Sequence, residues 1–159
     1  KCQNMPVLKI IINPNPTLRE KSVEIGKKKV TSKEIQRLCF NMGKTMITKD
    51  GAGLAAPQIG KNIRLCVINT KNGPLTLINP KIIKKSWARE WGEEGCLSVP
   101  NVFGEVRRHK EITCNYTDKK GKKAKISAAG LSARVIQHEV DHLDGILFID
   151  KARNIKKTP

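Results

Sequence analysis

Aromatic side chains make up only 4% of this chain of 159 residues, so its core must be aliphatic and it has no platform on which bases could stack. Acidic residues are also few, 14 against 31 lysines and arginines, and the net charge of +17 creates a field that would draw polyanionic partners, although the lysines are scattered and a solvated basic surface accounts for them equally well. No apolar stretch approaches the roughly 20 residues of a membrane span. The run "VLKIIIN" is interrupted by Lys9 and followed by "PNPTLRE", so it is no signal core. Five cysteines, an odd number at irregular spacings, argue against a disulfide framework and for a reducing compartment. The expected location is the cytoplasm, or an organelle if a leader has been removed. There is no linker, internal repeat or low-complexity tract, so residues 1–159 are expected to form a single domain, with the basic tail 151–159, "KARNIKKTP", frayed at its end.

The segment to about Lys29, with prolines at 6, 14 and 16, is expected to be extended chain and turns. In "TSKEIQRLCFNMGKTMITKDG", Thr31 and Glu34 have capping-box spacing, Ile35, Leu38, Cys39, Met42 and Met46 form one apolar stripe, and Gly51 is a suitable terminator. That pattern predicts a helix. Residues 63–69, 75–79, 81–86 and 111–117 are short β-rich runs bounded by Gly, Pro and Asn, and a hairpin is expected to turn at Gly121. A second helix is predicted over Gly130–Leu143, with Gly145 just past its end. The fold class expected is α+β: antiparallel sheets packed around a central helix, with one further helix on the N-terminal side.

Two of the three histidines, His138 and His142, lie four residues apart on the second helix, with Glu139 directly after the first. Residues four apart share a helix face, so both imidazoles can address one ion while Glu139 is placed to exchange a proton with a water. Such a site needs a third protein ligand and an open position. Nothing downstream suits, since only Asp144 and Asp150 remain there, the first too near the motif. Upstream, Cys39, Cys66 and Cys114 sit in apolar surroundings where thiols are small hydrophobes, and Cys2 is close to the terminus. Cys96, in "EEGCLSVP", follows a glycine in a polar segment, and His109, in "RRHKE", is the alternative. One thiolate with two imidazoles suits Fe(II) as well as Zn(II) and leaves the site sensitive to oxidation.

"GAGLAAPQIG", 51–60, lacks the Lys-Ser/Thr of a phosphate loop and follows a helix, not a strand. Its one polar side chain, Gln58, could donate to a carbonyl oxygen, although a tight turn after a helix is the better account of the segment taken alone.

Taken together, "GAGLAAPQ", "EGCLS" and "QHEVDHLDG", in this order, resemble the three motifs of the peptide deformylase family, and the resemblance extends from about Val7 to Lys151. The resemblance implies a hydrolase that removes the formyl group from the initiator methionine of nascent chains. It implies that Cys96, His138 and His142 bind a ferrous ion, with Zn(II), Ni(II) or Co(II) as substitutes, and that Glu139 is the general acid/base. Gln58 and the backbone N–H of Leu97 are then the donors to the oxyanion. Gly53, Glu94, Leu131 and Val135, with the edge of His138, are implied to line the methionine pocket. The implied substrates are N-formylmethionyl peptides, and the basic surface could reach a ribosome. Neither a membrane nor DNA is expected as a partner. Many bacterial members continue into a longer C-terminal helix than the nine residues that follow Asp150 here.

Overall fold

The computed structural model describes residues 6–159; Cys2 lies outside the described residues. A single turn of 3-10 helix, Pro16–Arg19, and a short helix α1, Lys27–Val30, punctuate an otherwise extended N-terminal segment. Helix α2, Lys33–Thr48, is capped by Ser32, whose side chain accepts from the Ile35 amide at 3.4 Å. Thr31 does not serve as the cap, because it is already the C-cap of α1. At the other end Asp50 turns the chain with φ 53°, one residue before the glycine that the sequence nominated.

Eight strands follow: β1 Gly53–Ala55, β2 Leu65–Thr70, β3 Gly73–Lys85, β4 Arg89–Cys96, β5 Val99–His109, β6 Glu111–Thr117, β7 Lys123–Ala129 and β8 Arg153–Lys157. Helix α3, Gly130–Leu143, connects the last two. All strand pairings are antiparallel, in a five-stranded sheet of order β1-β2-β3-β6-β7 and a three-stranded sheet of order β4-β5-β8. The two runs expected as separate strands at 75–79 and 81–86 are one strand, β3, kept continuous through Pro80 by a break in register between Ile78 and Lys81. Asn79, at φ 50°, uses its side-chain amide to hold the backbone N–H and C=O of Ile25 at 2.8 and 2.9 Å. The β6–β7 hairpin turns at Gly121 (φ 80°), where the Asp118 carboxylate accepts from the amides of Lys120 and Lys122.

Strand β2 is buried on both sides, and this organises the core. Leu65 and Val67 pack with Met42 and Met46 of α2, whereas Cys66 and Ile68 pack with Ala133, Ile136 and Leu143 of α3. Helix α3 also contacts β5 of the smaller sheet, so it lies between the two sheets, the central position expected for it. Burying one Leu or Ile side chain contributes about 1.5–3 kcal/mol, so the first layer holds α2 and the second holds α3 against β2. No helix among the described residues is long and apolar enough to cross a membrane.

Two further features depart from the sequence reading. Strands β4 and β5 were not foreseen, because the residues that β4 turns inward, Glu90, Gly92, Glu94 and Cys96, are not apolar and give no hydrophobic alternation. The tail does not fray as expected: Arg153–Lys157 pairs with β5 as strand β8. There the Arg153 guanidinium bonds Glu105 at 3.0 Å and stands 3.6 Å over the Trp91 ring, and Asn154 bonds the same carboxylate.

Candidate metal centre

The one-turn spacing on α3 brings His138 and His142 together, ring centroids 4.9 Å apart, with their Nε2 atoms 3.2 Å from each other. Cys96, at the end of β4, brings its sulfur to 3.3 Å from His142 Nε2. The three donor atoms all lie within 4.8 Å of one another. Around a tetrahedral ion with bonds of about 2.0–2.3 Å, such donors would stand roughly 3.3–3.6 Å apart, so the set has the dimensions of a metal site. The alternative third ligand, His109, belongs elsewhere: its Nδ1 is 2.6 Å from the Ser86 carbonyl oxygen, at the far end of β5.

The electrostatics fit an ion too. Burial disfavours charge on His138, but the Cys96 sulfur and the Glu94 carboxylate bonded to it outweigh that and push its pKa up to about 10. His142 goes the other way, held well below the usual imidazole range by burial and then by its neighbour His138. A divalent cation beside the Cys96 sulfur would take the place of the His138 proton and leave both imidazoles neutral. The other described cysteines, Cys39, Cys66 and Cys114, are buried. Burial raises the pKa of Cys39, of Cys66 and of Cys114, the last to about 11, keeping each a neutral hydrophobe.

Glu94 explains how the centre is held. Its carboxylate receives His138 Nδ1 at 2.9 Å, the Arg108 guanidinium through two bonds of 2.9 Å, and Arg134 at 2.9 Å. Burial alone would raise its pKa, but the bonds from His138 and Arg108 bring it down to about 2. A carboxylate on the far nitrogen of a ligating histidine fixes the ring and its tautomer. Arg108 continues to Asp141 on α3, and Arg134 also donates to the carbonyls of Glu90, Gly92 and Val106. Sequence reasoning missed Arg108, Arg134 and Asp141. The available signal was the adjacent pair Arg107–Arg108, of which strand alternation must turn one inward: Arg107 is exposed and Arg108 is buried.

The centre opens into a cleft of about 450 Å³. Its lining contains every site residue that the resemblance implies except His142, which lies deeper: Gly53, Gln58, Glu94, Cys96, Leu97, Leu131, Val135, His138 and Glu139. Leu131 stands at the rim, 73% exposed. Glu94 borders the cleft, but its carboxylate is engaged by the histidine and the arginines. Gln58 is locked in place, its Oε1 accepting from the Ala55 amide at 2.8 Å and its Nε2 3.4 Å from Cys96 Sγ and 3.3 Å from Ser98 Oγ.

Glu139 is 3% exposed, and its Oε2 has no hydrogen-bond partner. Burial is the main cause that raises its pKa to about 7, with the charge of Glu94 adding and those of His138 and Arg108 opposing. A carboxyl poised there can both take and return a proton at neutral pH. Gly53 of β1 makes room for it: a Cβ at that position would stand 2.7 Å from the Glu139 carboxyl carbon.

The sequence profile of the polypeptide deformylase family matches residues 7–158. The chain is 44% identical over 154 residues to the peptide deformylase of Desulforudis audaxviator (strain MP104C), covering 96% of this chain and 98% of that one. The crystal structure of peptide deformylase from Thermotoga maritima superposes with a TM-score of 0.89 at 37% identity, covering 94% of this chain and 99% of that chain. A class I type b peptide deformylase from Acinetobacter baumannii, solved with Met-Ala-Ser bound, gives 0.88 at 30% identity, covering 92% of this chain and 100% of that chain. A Cys-His-His centre beside a buried glutamate, at the head of a peptide-sized cleft, is thus found in a chain whose sequence and fold match these enzymes along nearly their whole length, and the chain belongs to the polypeptide deformylase family.

Proposed function

We propose that the protein is a metal-dependent hydrolase that removes the N-formyl group from the initiator methionine of polypeptides, releasing formate. The observation that carries this reading is the convergence of Cys96, His138 and His142 beside Glu139, at the inner end of the cleft. The Met-Ala-Ser peptide bound to the Acinetobacter relative has the form of the product, a free amino-terminal methionine with chain beyond it.

Cys96, His138 and His142 would hold the ion, and Fe(II) is the working metal in this reading, because one thiolate and two imidazoles suit it and leave a position free. When held by these residues, such an ion would supply Lewis acidity toward the formyl carbonyl and toward water. The remaining steps belong to the chain. Glu139 takes a proton from the attacking water as its oxygen bonds to the formyl carbon. The negative charge developing on the carbonyl oxygen is met by Gln58 Nε2 and the Leu97 amide. Glu139 then returns the proton to the departing nitrogen as the carbon–nitrogen bond breaks, giving formate and a free amine. Each oxyanion donor is worth about 2.7–4 kcal/mol of transition-state stabilisation. Leu131 and Val135, with Gly53, form the apolar surface that receives the methionine side chain.

Formate release from a formyl-Met tripeptide, compared with hydrolysis of the same peptide unformylated, tests the assignment. Turnover of the formylated peptide alone is expected. Cleavage confined to unformylated peptide bonds would make the protein a metallopeptidase instead.

A further inference from the structure

One face of the five-stranded sheet points away from α3. Helix α2 packs on that face over β1, β2 and β3, but farther across, on β6 and β7, side chains stand exposed. Register fixes which ones they are. Lys81 is paired with Asn115 and Asn115 with Lys125; Lys84 is paired with Thr113 and Thr113 with Ser127. Paired residues on neighbouring strands project to the same side, so these are two rows on one surface. The contact of 3.3 Å between the Thr113 and Ser127 hydroxyls agrees. The alternate residues, Ile112, Cys114, Ile126 and Ala128, go to the α3 side and its core. Lys123, two residues before Lys125, extends the surface.

Lys81, Lys84, Lys123 and Lys125 are all exposed, and none takes part in the ion pairs formed among the described residues. A groove of about 450 Å³ opens beside them, with Lys84, Lys85, Thr113 and Ser127 in its walls and Glu111 at its border. The lysines border two open edges, that of β7 and that of β3 beyond Ile78, where β3 pairs with β6 alone; guarding an edge needs cations at the rim only, whereas these form rows with Asn115, Thr113 and Ser127 across three strands. Residues 71–88 and 110–129 together carry ten lysines and two acids, so much of the excess charge of the chain is gathered on this part of the sheet.

We infer that this face binds duplex RNA through its phosphodiester backbone. The lysine rows supply phosphate contacts, and Thr113, Ser127 and Asn115 between them offer short donors and acceptors to 2′-hydroxyls. No aromatic side chain stands in the rows, which excludes a stacking platform for single strands. The wide, shallow minor groove of A-form RNA accepts a broad sheet surface, whereas the major groove of B-DNA, about 12 Å wide, admits only a two-stranded ribbon. Among the cations only Ile83, 41% exposed at the register shift of β3, is apolar, too little for insertion into a membrane surface. Trp87, 99% exposed, lies beyond the end of the rows in the β3–β4 turn.

The test is fluorescence anisotropy of the full metal-loaded chain with a labelled RNA duplex of about 20 base pairs, a little longer than the roughly 16 that a double-stranded-RNA module spans. With four lysines each on one phosphate, affinity should fall roughly a hundredfold between about 50 and 200 mM salt. The double variant Lys81→Glu/Lys125→Glu should weaken binding at least tenfold and flatten the salt slope by about two. Lys61→Glu/Lys156→Glu, an equal charge change elsewhere, should weaken it less than threefold. Equal losses in the two double variants would overturn the inference. So would equal or tighter binding of a DNA duplex of the same sequence, or binding to phosphatidylserine vesicles without binding to RNA. Formate release from a short formyl-Met peptide should be the same in Lys81→Glu/Lys125→Glu as in the parent, which separates this inference from the catalytic reading.

Discussion

Replacing Gly53 by alanine adds one methyl group in the place where Glu139 must sit. The added Cβ would stand 2.7 Å from the Glu139 carboxyl carbon and 2.8 Å from its Cγ. Carbon atoms prefer about 3.5–4.0 Å, so one of the two groups must retreat by roughly 1 Å. β1 cannot retreat easily, since its three residues are paired with β2 and its neighbours Leu54 and Ala55 are fully buried. The carboxyl group moves instead. A displacement of about 1 Å in a reacting group can cost about a hundredfold in rate, and overpacking of this kind typically costs about 1–3 kcal/mol in stability. Gly53→Ala should therefore fold, bind one ion through Cys96, His138 and His142, and release formate about a hundredfold more slowly at saturating substrate. The assay is steady-state formate release on protein whose metal content has been measured, with Gly26→Ala as control, because a Cβ at Gly26 meets nothing within 4 Å. A Gly53→Ala protein with full metal and kcat within about threefold of the parent would refute the placement of Glu139 as the proton carrier.

Cys96→Ala should lose the metal, measured as metal per chain after dialysis, whereas Cys66→Ala and Cys114→Ala should retain it, their thiols being held neutral by burial. Glu94→Ala leaves Arg108 without its bidentate partner and frees the His138 ring, so urea unfolding should show a loss of about 3–5 kcal/mol. In a variant kept folded by working in the cold, metal affinity should fall about tenfold to a hundredfold. Iron-loaded protein should lose activity in air and keep it under nitrogen, while nickel-loaded protein keeps it in both, because a thiolate-bound ferrous ion with a free position reacts with oxidants. Equal half-lives in all four conditions would count against iron as the working metal.

How much of this could be read in the sequence depended on the physical signal each element leaves. Helix α3 was legible to the residue, since an amphipathic stripe, a terminating glycine and the His-Glu-x-x-His spacing all mark the same segment. Strand β6 was equally legible, because Ile112 and Cys114 alternate with polar neighbours. Strand β4 was not: its inward side is a charged network whose partners, Arg108 and Arg134, lie 14 and 40 residues from Glu94. No local pattern reports such a pairing. For the same reason nothing in the sequence marked the bond from His138 to the Glu94 carboxylate, a residue that also borders the cleft. Strand β8 escaped notice because all five of its residues are exposed, held by backbone pairing and by Glu105 and Trp91. The three candidate metal donors, in contrast, were nominated by residue type and context and are brought within 4.8 Å of one another by three separate pieces of structure: the end of β4 and two turns of α3.

The central claim is that Glu139 moves a proton for a reaction at the Cys96–His138–His142 centre without itself holding the ion. Glu139→Gln preserves the size of the side chain and its capacity to hydrogen-bond, but it cannot accept or return a proton. The decisive measurement is formate release from a formyl-Met peptide by this variant, at a metal content equal to that of the parent. The account predicts a fall of at least about a hundredfold, up to the ten-thousandfold typical of a lost general base. Near-normal turnover by fully metallated Glu139→Gln would contradict it.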